Sequence, residues 1–209
     1  MSTPLIHVVD DDDSLRTAIL RLLSAAGHEA RGYASTGDFL MHASLDRPGC
    51  LLLDLNLPGP SGLELQEELL RRGVPVPVVF LTGHAAVPDS VRAMKSGAED
   101  FLTKPVERHT LLGAIDRALA RDAAQRQSRA EADRLWARFA RLTPREREVF
   151  ERIVAGRLNK QIADELGIAE RTVKLQRAQL MDKLGAGSPA ELGVFAERLK
   201  QLRTPAPGA

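Results

Sequence analysis

Short apolar runs alternate with helix-patterned segments through the first 120 residues. The third run, Cys50–Leu53, has no polar alternation, as is typical of a central strand that is covered on both faces. Between the first two runs, apolar residues recur at helical spacing from Leu15 to Ala26, and Gly27 is expected to end that helix. Five such repeats predict an α/β fold with a doubly wound, five-stranded parallel sheet. The predicted strands are Leu5–Val9, Glu29–Tyr33, Cys50–Leu53, Val76–Leu81 and Phe101–Thr103.

After the fifth predicted strand the pattern becomes purely helical. The segment from Leu111 to Arg141 is rich in Ala, Arg, Glu and Gln and predicts a helix that continues beyond the sheet as a connector. From Pro144 onward, glycines separate four helical stretches, which indicates a small all-α domain, and residues 204–209 are predicted to be a frayed tail. We therefore expect a domain over 1–121, a helical linker over 122–141 and a second domain over 142–203.

The connector carries an apolar edge with two interpretations. It packs against the second domain, or it forms a coil with a second copy of the chain. We favour the first. The residues of this edge are Leu135, Trp136, Phe139 and Leu142.

Composition narrows the class of protein. With 44% hydrophobic residues, 209 residues supply enough apolar material for a core in each part. The chain begins without the basic and apolar regions of an export signal, and no apolar run approaches the roughly 20 residues that span a bilayer. Cys50 is the single cysteine and is interpreted as a small buried hydrophobe. We expect a cytoplasmic protein with no membrane partner.

Charge is distributed unevenly along the chain. Residues 1–121 hold 12 Lys and Arg against 16 Asp and Glu, a net charge of −4, whereas residues 122–209 hold 17 against 12, a net charge of +5. An acidic first part and a basic second part suggest different partners, and the basic excess is compatible with nucleic-acid binding.

Polar residues follow the predicted strands, at the edge of a doubly wound sheet where ligands gather. An acidic run beginning with Asp10 and Asp11 follows the first strand, and Asp54 follows the third. Three carboxylates in one crevice repel one another unless a cation lies among them, and oxygen ligands favour a hard ion such as Mg²⁺. A backbone carbonyl near Asn56 is a further candidate ligand. In the same run, Asp12 and Asp13 are interpreted as charges at the start of the first helix.

Such a metal site suits phosphoryl transfer. The cation neutralises an incoming phosphoryl group and orients it against the carboxylate of Asp54, which acts as nucleophile. Lys104 follows the fifth strand and supplies a positive charge for the phosphoryl oxygens, while the hydroxyl of Thr82, after the fourth strand, can donate a hydrogen bond to one of them. His84 is not assigned a role, because a histidine in a loop is more often a surface residue.

The second domain is predicted to begin with a helix that has Thr143 as its N-cap and Pro144 at its first position. Glu146, at the third position, is expected to form a capping box with Thr143. Asn159 is predicted to cap the next, short helix; Gly167 makes the turn and Glu170–Leu184 forms a longer helix. Two helices joined by a glycine turn form a helix-turn-helix pattern. The short helix directs Ile162, Ala163 and Leu166 inward.

The longer helix divides into two faces. Its apolar side predicts packing against the domain core, and its opposite side can lie in the major groove of DNA; a solvated basic face is the alternative. The apolar side holds Val173, Leu180 and Leu184, and the opposite side holds Arg171, Lys174, Arg177 and Ala178. The candidates for contact with guanine edges or phosphates are Lys174 and Arg177, and the candidates for reading a base or bracing another side chain are Gln176 and Gln179. Contacts with the DNA backbone are expected from Lys160, Arg171 and Thr172, and a further contact with DNA from Leu175.

Four sequence blocks together resemble the receiver domain of two-component response regulators over residues 4–121: V-V-D-D at 8–11, L-L-D-L-N-L-P-G-P-S-G at 52–62, F-L-T-G-H at 80–84 and D-F-L-T-K-P at 100–105. The resemblance implies a flavodoxin-like sheet of order 2-1-3-4-5, Asp54 as phospho-acceptor and Thr82 with Phe101 as a switch pair. It also implies a cis peptide before Pro105. Ser61 departs from the many receivers that carry Asp before the glycine.

Residues 142–200 resemble the LuxR-type helix-turn-helix through L-T-P-R-E and T-V-K, and the combination resembles the FixJ branch of the NarL/FixJ subfamily. The resemblance implies a transcription regulator that phosphorylates and dephosphorylates itself at Asp54 but is not primarily an enzyme. The implied partners are a sensor histidine kinase and promoter DNA, with RNA polymerase as a further candidate. Gln176 stands where an aromatic residue or His is common, so the base preference does not transfer.

The resemblance also implies how the two domains are coupled. Phosphorylation draws Thr82 inward, Phe101 follows, and the face made by the fourth helix, fifth strand and fifth helix forms a homodimer. That face includes Val91, Arg92, Lys95, Asp100 and Arg108.

Three other functions stay open. A phosphohydrolase of the haloacid dehalogenase type also uses an Asp at a strand end, but normally has a second Asp two residues later, where this chain has Asn56. A DNA binder independent of phosphorylation would not need the full acidic set. A receiver that binds only proteins would not bind DNA.

Overall fold

The computed structural model describes residues 3–83 and 87–203, apart from the side chains of 87–89 and 203. These residues form two compact units that divide between Arg126 and Gln127. His84 and residues 204–209, including the predicted tail, lie outside the described residues. The first unit contains β1 (Leu5–Val9), α1 (Asp13–Ala25), β2 (Glu29–Tyr33), α2 (Thr36–His42), β3 (Gly49–Asp54), α3 (Gly62–Arg71), β4 (Val78–Thr82), α4 (Val87–Lys95), β5 (Asp100–Thr103) and the start of α5 (Arg108–Ala140).

The five strands form one parallel sheet in the order β2-β1-β3-β4-β5, which confirms the predicted fold class. Central β3 is buried along its whole length, as its uninterrupted apolar sequence predicts. Successive residues of the strands enter two separate apolar layers, one on each face: Leu51 and Leu53 lie in one layer, and Cys50 and Leu52 in the other. Burial raises the pKa of the Cys50 thiol to about 12, so this cysteine is an unreactive part of the core.

Strand β4 begins at Val78, two residues later than the sequence pattern predicts. Pro75 and Pro77 flank Val76, and a proline has no backbone N–H to donate to a sheet ladder. The carbonyl of Pro77 still accepts a hydrogen bond from the backbone N of Leu51 at 2.9 Å. The prolines therefore delay the strand while leaving its first contact with β3 intact.

A buried carboxylate secures the opposite end of β3 from the predicted site. Asp122 on α5 is 2% exposed and accepts hydrogen bonds from the backbone N of Gly49 at 3.0 Å and from Nε of Arg126 at 2.9 Å. Gly49 has no room for a side chain, because a Cβ would lie 2.0 Å from the carbonyl oxygen of Leu5. Helix α5 and the first residue of β3 are thereby held together.

Helix α5 continues to Ala140, as the sequence predicts for the connector. The second unit then contains four further helices and, among the described residues, no strand: α6 (Pro144–Val154), α7 (Asn159–Leu166), α8 (Glu170–Leu184) and α9 (Pro189–Arg203). Gly167 ends α7 in the left-handed region, at φ 63°, and makes the predicted turn.

The core of the second unit draws residues from every one of its helices. Val149, Ile162, Val173 and Leu192 are all buried in it, as is Leu142 between α5 and α6. Leu135 and Phe139 of the connector pack against this core, with the ring of Phe139 5.6 Å from that of Phe150, so the connector's apolar edge packs within the second unit as favoured. Trp136, on the same edge, remains 37% exposed.

No helix in the described parts of the chain combines the length and apolar character needed to cross a membrane.

The start of α6 confirms the predicted capping box. The Thr143 hydroxyl accepts from the backbone N of Glu146 at 3.2 Å, and the Glu146 carboxylate accepts from the backbone N of Thr143 at 2.8 Å. Glu146 is 4% exposed and also receives two hydrogen bonds from Lys183 of α8, both 2.7 Å long. Burial alone would raise the pKa of Glu146, but these partners outweigh it and hold the pKa below its ordinary value. This carboxylate therefore ties α6 to α8.

The predicted cap of α7 is wrong. Leu158, not Asn159, is the N-cap residue, and Asn159 is the first residue of the helix. The side chain of Gln161 caps the helix start by accepting from the backbone N of Leu158 at 2.9 Å. The side-chain oxygen of Asn159 instead accepts a hydrogen bond from Arg177 on α8.

A buried histidine lies in the middle of β1. His7 is 3% exposed, and its Nδ1 lies 3.0 Å from the hydroxyl of Tyr33, within a cluster that includes the ring of Phe39. Burial, with the nearby positive charges of Arg31 and Arg47, lowers the pKa of His7 to about 4. In the folded protein, His7 is therefore neutral until the pH falls close to that value.

We expect His7 to make the first unit sensitive to acid. The unfolded chain takes up this proton near pH 6.5, so the stabilisation is complete above about 6.5 and is lost as the pH falls toward about 4. Between pH 7 and pH 5 the loss amounts to roughly 2 kcal/mol. Thermal unfolding at both pH values should show a smaller shift for His7→Phe than for the wild type. His109→Gln is the matched control, since His109 is exposed; an equal shift in all three proteins would contradict the prediction.

Candidate functional site

The carboxyl ends of the strands bring the predicted acidic residues together. Asp10 directly follows β1 and Asp54 ends β3, and the register that pairs Val9 with Leu53 places the two residues side by side. One carboxylate oxygen from each of Asp10, Asp11 and Asp54 lies within 4.8 Å of the others. Asp10 and Asp54 are buried, at 1% and 6% exposure, and Asp11 is exposed. The three carboxylates thus form one crevice that opens to solvent at Asp11.

Lys104 lies between the two buried carboxylates. Its Nζ donates to Asp10 Oδ2 at 2.8 Å and to Asp54 Oδ2 at 2.9 Å. Partial burial by itself lowers the pKa of Lys104, but the hydrogen bonds and the negative charges of Asp10 and Asp54 outweigh this effect and raise it. The lysine therefore stays charged and neutralises part of the repulsion in the crevice.

The oxygen atoms of this cluster fit a hard divalent cation. Carboxylate oxygens within 4.8 Å of one another can share one ion, and an all-oxygen donor set suits Mg²⁺. The backbone N of Asn56 donates to Asp54 Oδ1 at 3.3 Å, so the loop that carries the further candidate ligand turns back toward the Asp54 carboxylate.

The loop after β1 is held by its own side chains. The carboxylate of Asp12 caps α1 by accepting from the backbone N atoms of Ser14 and Leu15, and Asp13 is the first helical residue, as predicted for these two charges. The guanidinium of Arg16 donates to the carbonyl oxygen of Asp10 at 2.6 Å. Arg16 was not identified from the sequence; its position six residues after Asp10, on the first turns of the helix, is the signal that could have indicated it.

The loop after Asp54 depends on a close approach between backbones. A Cβ on Gly62 would lie 2.3 Å from the carbonyl oxygen of Asp54, so only glycine fits there. Ser61 caps α3, with its hydroxyl accepting from the backbone N of Glu64 at 3.3 Å and the Glu64 carboxylate accepting from the backbone N of Ser61 at 2.7 Å. Because Ser and Asp are both strong N-cap residues, the departure at Ser61 keeps the function that Asp could serve at this position.

The remaining predicted residues of the first unit lie on β4, on β5 and directly after β5. Thr82 ends β4 and is fully buried, and its carbonyl oxygen accepts from the backbone N of Lys104 at 2.7 Å. Phe101 is half-buried, and its ring lies 6.1 Å from that of Phe80. The peptide between Lys104 and Pro105 is cis, as expected.

In the second unit, α8 has the two predicted faces. Val173, Leu180 and Leu184 are buried in the core. The basic residues Arg171 and Lys174 are exposed, and Nζ of Lys174 lies 3.3 Å from a Glu170 carboxylate oxygen. Of the other candidate contact residues, Lys160, Leu175 and Gln179 are exposed, and Thr172, Gln176 and Arg177 are half-buried.

Arg177 differs from the expectation of a fully exposed face. Its guanidinium donates to Asn159 Oδ1 at 2.8 Å, which joins the start of α7 to the middle of α8. The neighbouring Gln176 has its Oε1 buried without a hydrogen-bond partner among the described residues. Sequence reasoning missed the contact, because the two residues are 18 positions apart and the pattern assigned Asn159 to a cap.

Comparisons with known families match both units. The family model described as "Response regulator receiver domain" matches residues 6–116, and the one described as "Bacterial regulatory proteins, luxR family" matches residues 140–196. The chain is 41% identical over 195 residues to Nodulation protein W of Bradyrhizobium diazoefficiens, covering 93% of this chain and 86% of that protein. It is 43% identical over 188 residues to the transcriptional regulatory protein FixJ of Azorhizobium caulinodans, covering 90% and 89%.

Solved structures agree with these relatives. The response regulator StyR is 45% identical, with a TM-score of 0.87 over 94% of this chain and 100% of that one. Full-length FixJ from B. japonicum is 37% identical, with a TM-score of 0.57 over 96% and 99%. The chain therefore belongs to the two-component response regulators of the NarL/FixJ subfamily, in its FixJ branch, and combines a receiver domain with a LuxR-type DNA-binding domain that regulates transcription.

Proposed function

We propose that Mg²⁺-dependent phosphorylation of Asp54 controls dimerisation and sequence-specific DNA binding. The observation that carries this proposal is the crevice in which oxygens of Asp10, Asp11 and Asp54 lie within 4.8 Å of one another beside the ammonium of Lys104. The repulsion among these carboxylates favours binding of a cation, and the bound cation can then neutralise an incoming phosphoryl group.

The residues of the crevice divide the transfer step between them. A carboxylate oxygen of Asp54 attacks the phosphorus of a phosphohistidine on the sensor kinase; the P–N bond breaks and an acyl phosphate forms. Lys104, which already bonds Asp54, holds the phosphoryl oxygens by its charge, and the Thr82 hydroxyl donates to one of them. Asp10, Asp11, Asp54 and the backbone carbonyl of Asn56 would hold Mg²⁺, which neutralises charge on the phosphoryl group. Hydrolysis of the acyl phosphate restores Asp54, so the chain is a regulator rather than a metabolic enzyme.

The signal leaves the site through β4 and β5. Thr82 is the last residue of β4, and Phe101 lies in β5. Movement of the threonine toward the phosphoryl group gives the Phe101 side chain room to follow. The face formed by α4, β5 and α5 then dimerises. Its candidate residues include Val91, which is 46% exposed, Arg92, which pairs with Glu67, and Asp100, which pairs with Arg117. Lys95 and Arg108 are exposed on the same elements.

A dimer presents two copies of α8 to DNA. Two recognition helices about 34 Å apart read half-sites one helical turn apart. Lys174 and Arg177 contact guanine edges or phosphates, and Leu175 adds an apolar contact. The side chains of Gln176 and Gln179 read a base or brace a neighbouring side chain. Lys160, Arg171 and Thr172 contact the DNA backbone.

This function implies the remaining assignments. The receiver spans residues 1–121, the linker 122–141 and the DNA-binding domain 142–203. The partners are a sensor histidine kinase, promoter DNA, a second copy of the chain and RNA polymerase. A protein that binds the chromosome works in the cytoplasm.

We expect Lys104→Ala to leave two buried carboxylates without their cation. The variant should lose roughly 3 kcal/mol of stability in metal-free buffer, and millimolar Mg²⁺ should raise its thermal unfolding temperature more than that of the wild type, because the ion replaces the missing positive charge. Lys95→Ala, at an exposed lysine of α4, is the control and should behave like the wild type. A response of Lys104→Ala no larger than that of the other two proteins would contradict the expectation that the ion takes the place of the Lys104 charge in this crevice.

We expect Asp54→Asn to abolish the effect of a phosphodonor. Purified protein is used to select DNA sequences from a random pool, with and without acetyl phosphate and Mg²⁺, and sedimentation of the same samples reports the dimer. The wild type should show donor-enhanced dimerisation and selective binding, and the variant should show neither gain. Asp116→Asn, at an exposed carboxylate of α5, should keep both. Selective binding that ignores the donor would instead support a phosphorylation-independent DNA binder, and release of phosphate from small substrates would support a phosphohydrolase.

Lys174→Ala should separate the two domains' activities. Loss of this exposed cation on α8 should weaken DNA binding by roughly 1–3 kcal/mol while phosphorylation by acetyl phosphate is unchanged. Binding is measured by fluorescence anisotropy on the selected site, and phosphorylation by a phosphate-affinity gel. Unchanged DNA affinity would show that Lys174 does not face the DNA.

A further inference from the structure

We infer that Asn159 is a positioning residue that holds the guanidinium of Arg177 ready to read a guanine in the major groove. This inference rests on the proposed DNA-binding function and deepens it. Its geometric basis is the 2.8 Å hydrogen bond from Arg177 Nη1 to Asn159 Oδ1, which joins the first turn of α7 to the middle of α8.

The chemistry of the acceptor preserves the charge of the arginine. Several other arginines of this domain pair with carboxylates, among them Arg152 with Glu165 at 3.0 Å and Arg145 with Glu148 at 2.6 Å. Arg177 instead bonds a neutral amide oxygen, so its full positive charge remains available. A guanidinium has five N–H donors, and this bond uses one of them, which leaves enough for a two-point contact with guanine O6 and N7.

The bond also fixes the conformation of a long side chain before DNA arrives. An unrestrained arginine loses rotamer freedom when it binds, whereas a half-buried arginine held at one nitrogen has already lost much of it. Asn159 is the first residue of α7, so its backbone is fixed by the helix to which it belongs. Next to Arg177, the amide oxygen of Gln176 is buried. Of these two neighbours, Arg177 is therefore the one prepared to read a base.

The test compares single and double variants of the full-length protein, phosphorylated with acetyl phosphate. Affinity is measured for the DNA site selected by the wild type and for a scrambled duplex of equal length and composition. Asn159→Ala should weaken binding to the selected site roughly tenfold, leave the scrambled duplex unaffected and relax the preference for one guanine when the selection is repeated. Arg177→Ala should weaken both, and adding Asn159→Ala to it should cause no further loss.

Gln161→Ala is the matched control, because it removes a hydrogen bond at the same helix start without touching Arg177. It should lower the thermal unfolding temperature, and any effect on binding should add fully to that of Arg177→Ala. Arg177→Lys gives a second measurement that leaves Asn159 unchanged: it keeps the charge and the affinity for scrambled DNA, but should lose the guanine preference.

Two results would overturn the inference alone. One is a loss from Asn159→Ala that is as large in the Arg177→Ala background as in the wild type. The other is a retained guanine preference in Arg177→Lys. A wild type without any sequence preference would overturn the proposed function, and this inference with it, before a variant is measured.

Discussion

The structure of the receiver depends on the neutralisation of two buried carboxylates that lie side by side. Asp10 and Asp54 lie on adjacent strands with almost no exposure to solvent, and without a cation they would repel each other strongly in a medium of low dielectric constant. Lys104 directly follows the edge strand β5, and its ammonium forms ion pairs with both carboxylates. The crevice is therefore stable enough to fold, yet it still carries excess negative charge, which favours the binding of a metal ion.

The DNA-binding domain uses a buried carboxylate in a different way. Glu146 completes a capping box at the start of α6 and bonds Lys183 near the end of α8, so one side chain sets the relation between two helices. A carboxylate of this kind is structural, because its partners occupy its acceptor oxygens and neutralise its charge. The contrast with Asp54 lies in the partners: one lysine shared between two carboxylates leaves a deficit of positive charge, and one lysine bonded to one carboxylate does not.

Much of the architecture was predictable because strands and helices follow local periodicity. The five strands, the long connector and the Thr143 cap could be read from short windows of sequence. Errors arose where a residue type has two uses. Val76 lies in an apolar run but between prolines, so β4 starts later, and Asn159 has a side chain suited to capping that is used elsewhere. In each case a local preference was outweighed by a specific hydrogen-bonding requirement.

The sequence by itself determined the elements, their order and the residue types that follow each strand, because these depend on neighbours within a few positions. Only the tertiary structure decided which functional groups meet: Lys104 with Asp10 and Asp54, Arg16 with the carbonyl of Asp10, and Arg177 with Asn159. These contacts join residues on different elements or specific atoms within a loop, and a hydrogen bond requires two atoms to lie within about 3 Å. Periodicity specifies the face on which a residue lies, and the packing of the whole chain sets distances on that scale.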